Sequence, residues 1–103
     1  MVGELIMADI LKDYFSGKLK ATVHLLKLRK PENEYQIQAL EFQNTVIETI
    51  LSVTPEHHIQ VLKMHYQDNM TWLETAQRIY IDARTARQWR DEFIEQVGEY
   101  VTA

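Results

Sequence analysis

Apolar positions recur along this chain at three- and four-residue steps, and polar or turn-forming clusters interrupt them at a few places. The pattern predicts helices throughout. Glu4 to Phe15 carries Leu5, Ala8, Ile10, Leu11 and Phe15 partly on one side, and Ser16-Gly17 marks a break. Lys18 to Lys30 interleaves Leu19, Val23, Leu25, Leu26 and Leu28 with basic residues and stops at Pro31-Glu32-Asn33. Glu34 to Val53 is the longest amphipathic run, with Ile37, Leu40, Val46, Ile47, Ile50 and Leu51 at helical spacings. Thr54-Pro55-Glu56 then combines an N-cap, a proline at the first helical position and an acid near the positive helix end. It opens a helix containing Ile59, Val61, Leu62 and Tyr66, which Gln67-Asp68-Asn69 closes.

The stretch from Thr71 to Phe93 carries the most information. Thr71 is an N-cap candidate, and Glu74 three residues later completes a capping box. Leu73, Ala76 and Ile79 form a short stripe read as buried, with the small Ala76 at a close helix crossing. Asp82 is a second N-cap candidate, after which Ala86, Trp89, Phe93 and Val97 follow helical spacing and mark the packed side of a longer helix. Two helices joined by a turn of about 3–4 residues outline a helix-turn-helix, whose second helix enters the DNA major groove.

At about 100° per residue, Arg84, Arg87, Gln88 and Asp91 point away from the packed side. Arginine presents a planar fork of donors that matches guanine O6 and N7, and glutamine matches adenine N6 and N7. Arg84, Arg87 and Gln88 are therefore the candidate base-reading residues. Thr71, Thr85 and Arg90 are the candidate phosphate contacts, since such contacts orient a protein on the duplex without reading sequence. The plainer account of the same face is a solvated helix surface that happens to be basic.

These residues also resemble a known module. Tyr66 ending the preceding helix, the Thr71-Trp72 start, Glu74, Ala76, Ile79, Ile81, Ala86 and Arg87 look like the last two helices of sigma-factor region four. They are most similar to the ArpU/RinA-type phage late-gene transcriptional regulators. The resemblance covers Thr54 to about Val97. It implies an all-helical, phage- or prophage-encoded regulator that binds promoter-type double-stranded DNA, often together with RNA polymerase. One departure stands out: Tyr80 occupies the turn position where such modules carry glycine. A left-handed residue there would cost roughly 1–2 kcal/mol, so either the corner is remodelled or the tyrosine packs.

Composition narrows the choice of class. The chain has 103 residues, 46% hydrophobic and 25% charged, with three glycines and two prolines. That is room for one core and few hairpins, so the expected fold is an all-α helical bundle with a C-terminal tri-helical helix-turn-helix. The expected division is an N-terminal packing or oligomerisation part, 1–53, and a DNA-binding part, 54–103, within one compact domain. The absence of cysteine excludes disulfides and thiolate metal sites. No run approaches the ~20 apolar residues of a membrane span, and Met1 to Met7 do not start a signal sequence. A cytoplasmic protein without membrane contact is expected.

Net charge is −4, which opposes nucleic-acid binding, but it is unevenly distributed. The first 30 residues hold six basic and three acidic groups, residues 31–70 one and six, and residues 71–103 four and six. Lys18, Lys20, Lys27, Arg29 and Lys30 have two readings: phosphate ligands beside the reading helix, or the solvated face of a half-buried helix that acids at 32–48 neutralise. The second is favoured. His57, His58 and His65 lack the cysteines or the HExxH pattern of a metal site. There is no phosphate loop, G-x-S-x-G elbow or cysteine nucleophile, so neither an enzyme nor a cofactor is expected. The expected function is a sequence-specific transcriptional regulator. The alternatives are a protein-interaction module that targets RNA polymerase or another regulator, and a small phage terminase subunit. Trp89, Phe93, Val97 and Tyr100 continue a stripe beyond a normal reading helix. Its cover is either Leu11, Phe15, Leu26 and Leu40 of the same chain or a second subunit, and a homodimer is slightly favoured.

Overall fold

The computed structural model describes the backbone of residues 2–101 and the side chains of residues 9–100. Among the described residues the chain is all-α, a bundle of six helices without a strand. They are α1 Val2–Phe15, α2 Lys18–Arg29, α3 Glu34–Ser52, α4 Glu56–Tyr66, α5 Trp72–Arg78 and α6 Ala83–Val101. The bounds follow the punctuation. Gly17 ends α1 in the left-handed region at φ 84°, a conformation glycine adopts without steric cost. The side chains of Leu5 and Ala8 lie outside the described residues.

One junction differs from expectation. Thr54 does not cap α4; the N-cap is Pro55, and α4 starts at Glu56. The Thr54 hydroxyl instead donates to the Ile50 carbonyl at 2.6 Å. It satisfies one of the carbonyls that the end of α3 leaves open, a use in direct competition with capping.

A single cluster joins both halves of the chain. Leu11 and Phe15 of α1 and Val46, Ile47 and Ile50 of α3 pack with Leu62 and Tyr66 of α4 and Phe93 and Val97 of α6. The α6 stripe is therefore covered within the chain. Phe93 and Val97 are buried at 3% and 0% exposure, and only its last member, Tyr100, is exposed. This removes the stripe as an argument for a dimer. The α2–α3 hairpin is less well covered: Leu19 and Ile37 are buried, whereas Leu25, Leu28, Tyr35 and Phe42 stay exposed.

Candidate nucleic-acid interface

The site is built on α4, α5 and α6, and its first fixed point is the start of α5. Asn69 turns the chain in the left-handed region at φ 57°, and Met70 returns its N–H to the Met64 carbonyl at 3.0 Å. Thr71 then caps α5 as expected. Its hydroxyl accepts the Glu74 N–H at 3.1 Å, and the Glu74 carboxylate accepts the Thr71 N–H at 3.0 Å. The Thr71 N–H, followed by the Thr71 side chain, holds the Glu74 carboxyl below its ordinary pKa, so it stays charged. Any phosphate near Thr71 meets that carboxylate as well.

The inward side of α5 is not the Leu73 stripe. Leu73 is 60% exposed, while Thr75 and Ala76 are buried and Trp72 and Ile79 half-buried. The packed set is 72, 75, 76 and 79, the spacing of one full helical face. Leu73 drew attention because it is the more apolar side chain, but ring packing gives the face to Trp72. The indole stacks on His65 at 3.7 Å between centroids, meets Tyr66 edge-on at 6.2 Å, and lies 5.0 Å from the Arg90 guanidinium. Trp72 thus ties α5 to both α4 and α6. His65 is fixed from its other edge as well, with Nδ1 2.8 Å from the Met70 carbonyl. Burial, aided by the nearby Arg90 charge, pushes its pKa down against that backbone bond.

At the corner, Ile79 is the C-cap, Tyr80 is left-handed at φ 61°, and Ile81 donates its N–H to the Ala76 carbonyl at 3.0 Å. That bond spans six residues and closes a Schellman motif. Neither expectation for Tyr80 holds: the left-handed turn is kept, and the side chain is 94% exposed. Asp82 then accepts the Ala86 N–H through its carbonyl at 3.1 Å, and α6 begins at Ala83.

Ala86, Phe93 and Val97 form the buried side of α6. Trp89 does not join them in the core. It is half-buried and stacks on His58 at 4.0 Å, beside a cleft of about 200 Å³ lined by Val53, Pro55 and Phe93. Arg84, Arg87, Gln88 and Asp91 are all exposed. Among the described residues, neither Arg84 nor Arg87 forms an ion pair, and Gln88 donates to the Glu92 carboxylate at 3.2 Å. Thr85 is half-buried at the margin of this face. Arg90 is already engaged: it pairs with Asp91 at 2.6 Å, and its side chain is 24% exposed. Burial disfavours its charge, but Tyr66 and Asp91 more than offset this, so its pKa stays above the ordinary value. The ring partners His65, Tyr66 and Trp72 were not recognisable as a brace in the sequence. The available signal was the spacing 72, 75, 76 and 79.

Three of the five cations of the basic run, Lys18, Lys20 and Lys27, are paired with neighbouring acids, while Arg29 and Lys30 at its end are exposed and form no ion pair among the described residues. Lys20 pairs with Glu48 at 3.3 Å, Lys27 with Glu41 at 3.2 Å, and Lys18 reaches Asp13 at 4.0 Å.

Residues 26–99 match the family described as Protein of unknown function (DUF722). The chain belongs to this family. The matched segment of the DUF722 chain runs from the end of α2 through almost all of α6, so the braced corner and its outward face lie entirely inside it. No curated protein and no solved structure matches the DUF722 chain.

Proposed function

We propose that this protein is a sequence-specific DNA-binding transcriptional regulator that reads the major groove with the first three turns of α6. The observation that carries this reading is the pair Arg84 and Arg87, exposed and without an ion pair among the described residues, next to exposed Gln88 on a helix held by a Schellman corner. A fork of donors on a rigid helix is the geometry that base-edge recognition needs. Arg84, Arg87 and Gln88 read base edges. Thr71 and Thr85 sit at phosphates, at the start of α5 and at the margin of the α6 face. Arg90, held by Trp72 and Asp91, positions the reading helix rather than reaching out. With a net charge of −4, non-specific affinity is weak and specificity rests on few contacts.

The DNA target, the sigma-like resemblance and a phage or prophage origin belong to one proposal, and RNA polymerase is the protein partner it implies. A homodimer on paired half-sites would have to use a surface other than the α6 stripe. Selection of bound duplexes from a random DNA pool tests the reading, with the Arg84→Ala/Arg87→Ala protein as control. The parent is expected to enrich a motif and the control to enrich none. A pool that the parent leaves unenriched would turn the account toward a protein-interaction module.

A further inference from the structure

The chain bends through the left-handed region at three described positions, and their residues differ in kind. Two are of the residue types that tolerate this conformation, Gly17 at φ 84° and Asn69 at φ 57°. The third carries Tyr80 at φ 61°. A bulky residue there is strained, and packing offers no compensation, because Tyr80 is 94% exposed. Its hydroxyl and ring have no hydrogen-bond or ring partner among the described residues. Strain kept without a packing return is a recurring mark of a residue held in place for function.

The surroundings indicate which function. Ile81 turns inward and gives its N–H to Ala76, leaving Tyr80 and Asp82 on the outer side of the corner. Two residues before Tyr80 is exposed Arg78, and four residues after it is exposed Arg84, the first arginine of the reading face. The phenol is therefore exposed on the corner that leads into that face, with Arg78 before it and Arg84 after it in the chain. It is a stiff arm with few rotatable bonds that ends in a neutral O–H donor. In an acidic chain such a donor adds a backbone contact without adding charge.

We propose that Tyr80 is a further DNA contact, its hydroxyl donating to a phosphate oxygen at the edge of the groove that α6 enters. The inference rests on the DNA-binding reading given above. Tyrosine hydroxyls are among the groups that make such orienting contacts, and these carry no sequence preference.

The test compares parent, Tyr80→Phe, Tyr80→Gly and Arg87→Ala on the duplex enriched by the parent and on a scrambled duplex of equal length. Tyr80→Phe keeps the ring and the backbone conformation and loses only the donor. It is expected to bind both duplexes about ten-fold more weakly, the lower end for a hydrogen bond to a charged group. The slope of affinity against salt should stay unchanged, because no charge is lost. Tyr80→Gly should weaken binding at least as much while melting several degrees higher than the parent, since the strain is relieved. Arg87→Ala should lose affinity selectively for the enriched duplex. Parent-like binding by both Tyr80 variants, with Arg87→Ala still impaired, would overturn the Tyr80 contact and leave the DNA reading intact. A parent that enriches no duplex from the random pool would overturn both.

Discussion

Two basic surfaces of this chain look alike in sequence and differ in structure. On α2, Lys18, Lys20 and Lys27 sit within reach of Asp13, Glu48 and Glu41. On α6, Arg84 and Arg87 stand exposed without an ion pair among the described residues, while Arg90 of the same helix is held by Trp72 and Asp91. Positive charge along a sequence is thus a poor guide to positive charge on offer. What decides is whether the next helix brings a carboxylate to the same flank. α3 does this for α2 through Glu41 and Glu48, seven residues apart and on one side of the helix. Among the described residues, no element does it for the first two arginines of α6.

The contrast depends on a shared core, and the largest expected effect comes from breaking that core. Phe93 is 3% exposed and belongs to the cluster that joins α1 and α3 to α4 and α6. Phe93→Ala should cost about 3–5 kcal/mol, seen as one cooperative transition at much lower denaturant. Loss confined to the C-terminal helices would show that the two regions are separate folding units.

Trp72→Ala should cost less, roughly 2–3 kcal/mol, because the indole is only half-buried. It removes the ring that His65 stacks on and that Arg90 covers, while leaving every outward side chain of α6 in place. Chemical denaturation would give the cost. An unchanged midpoint would mean that Trp72 does not brace the corner.

The pH dependence of stability separates the regions next, since His65 belongs to the corner. Its folded pKa lies below the ordinary histidine value of about 6.5, chiefly through burial. The unfolded chain therefore takes up the proton first on acidification. The His65 contribution is fully present above about pH 6.5 and is lost as pH falls through the folded value. Denaturation midpoints from pH 7.5 to 5 should fall in the parent and fall less in His65→Gln. Equal slopes would assign the acid sensitivity elsewhere.

The smallest effect is expected from releasing the α2 cations. Glu41→Gln/Glu48→Gln frees Lys27 and Lys20 from exposed pairs that are worth at most about 1 kcal/mol each. Stability should barely change, and affinity for a scrambled duplex should rise. A large loss of stability would show that these pairs hold the hairpin together.

Much of the architecture was legible because turn-forming residues stand where the helices end. Ser16-Gly17, Pro31-Glu32-Asn33 and Gln67-Asp68-Asn69 bracket the observed elements to within a few residues, and the Thr71–Glu74 box caps α5 as read. The outward angles of Arg84, Arg87 and Gln88 were also readable, since α6 is a regular helix whose buried side Ala86 and Phe93 mark. What escaped were pairings between elements. The spacing puts Trp89 on the packed side of α6, but it is half-buried and stacks on His58 of α4 instead of joining the core. Arg90, a candidate phosphate contact by its flank position, also packs on Trp72 and pairs with Asp91, which the spacing does not reveal. Leu73 outranked Trp72 because hydrophobicity counts apolar character and not which ring finds a partner. Thr54 had two competing uses, and only the position of Ile50 shows which one prevails.

The central claim is that the arginines of α6, and not the lysines of α2, are available to DNA. Binding of the enriched duplex should be titrated for Arg84→Ala/Arg87→Ala and for Lys20→Ala/Lys27→Ala at matched salt. The α6 variant is expected to lose about 2–4 kcal/mol of binding free energy, the sum of two modest base contacts, and the α2 variant less than about 0.5 kcal/mol, as for cations already paired within the fold. Equal losses, or a larger loss from the α2 variant, would contradict the account.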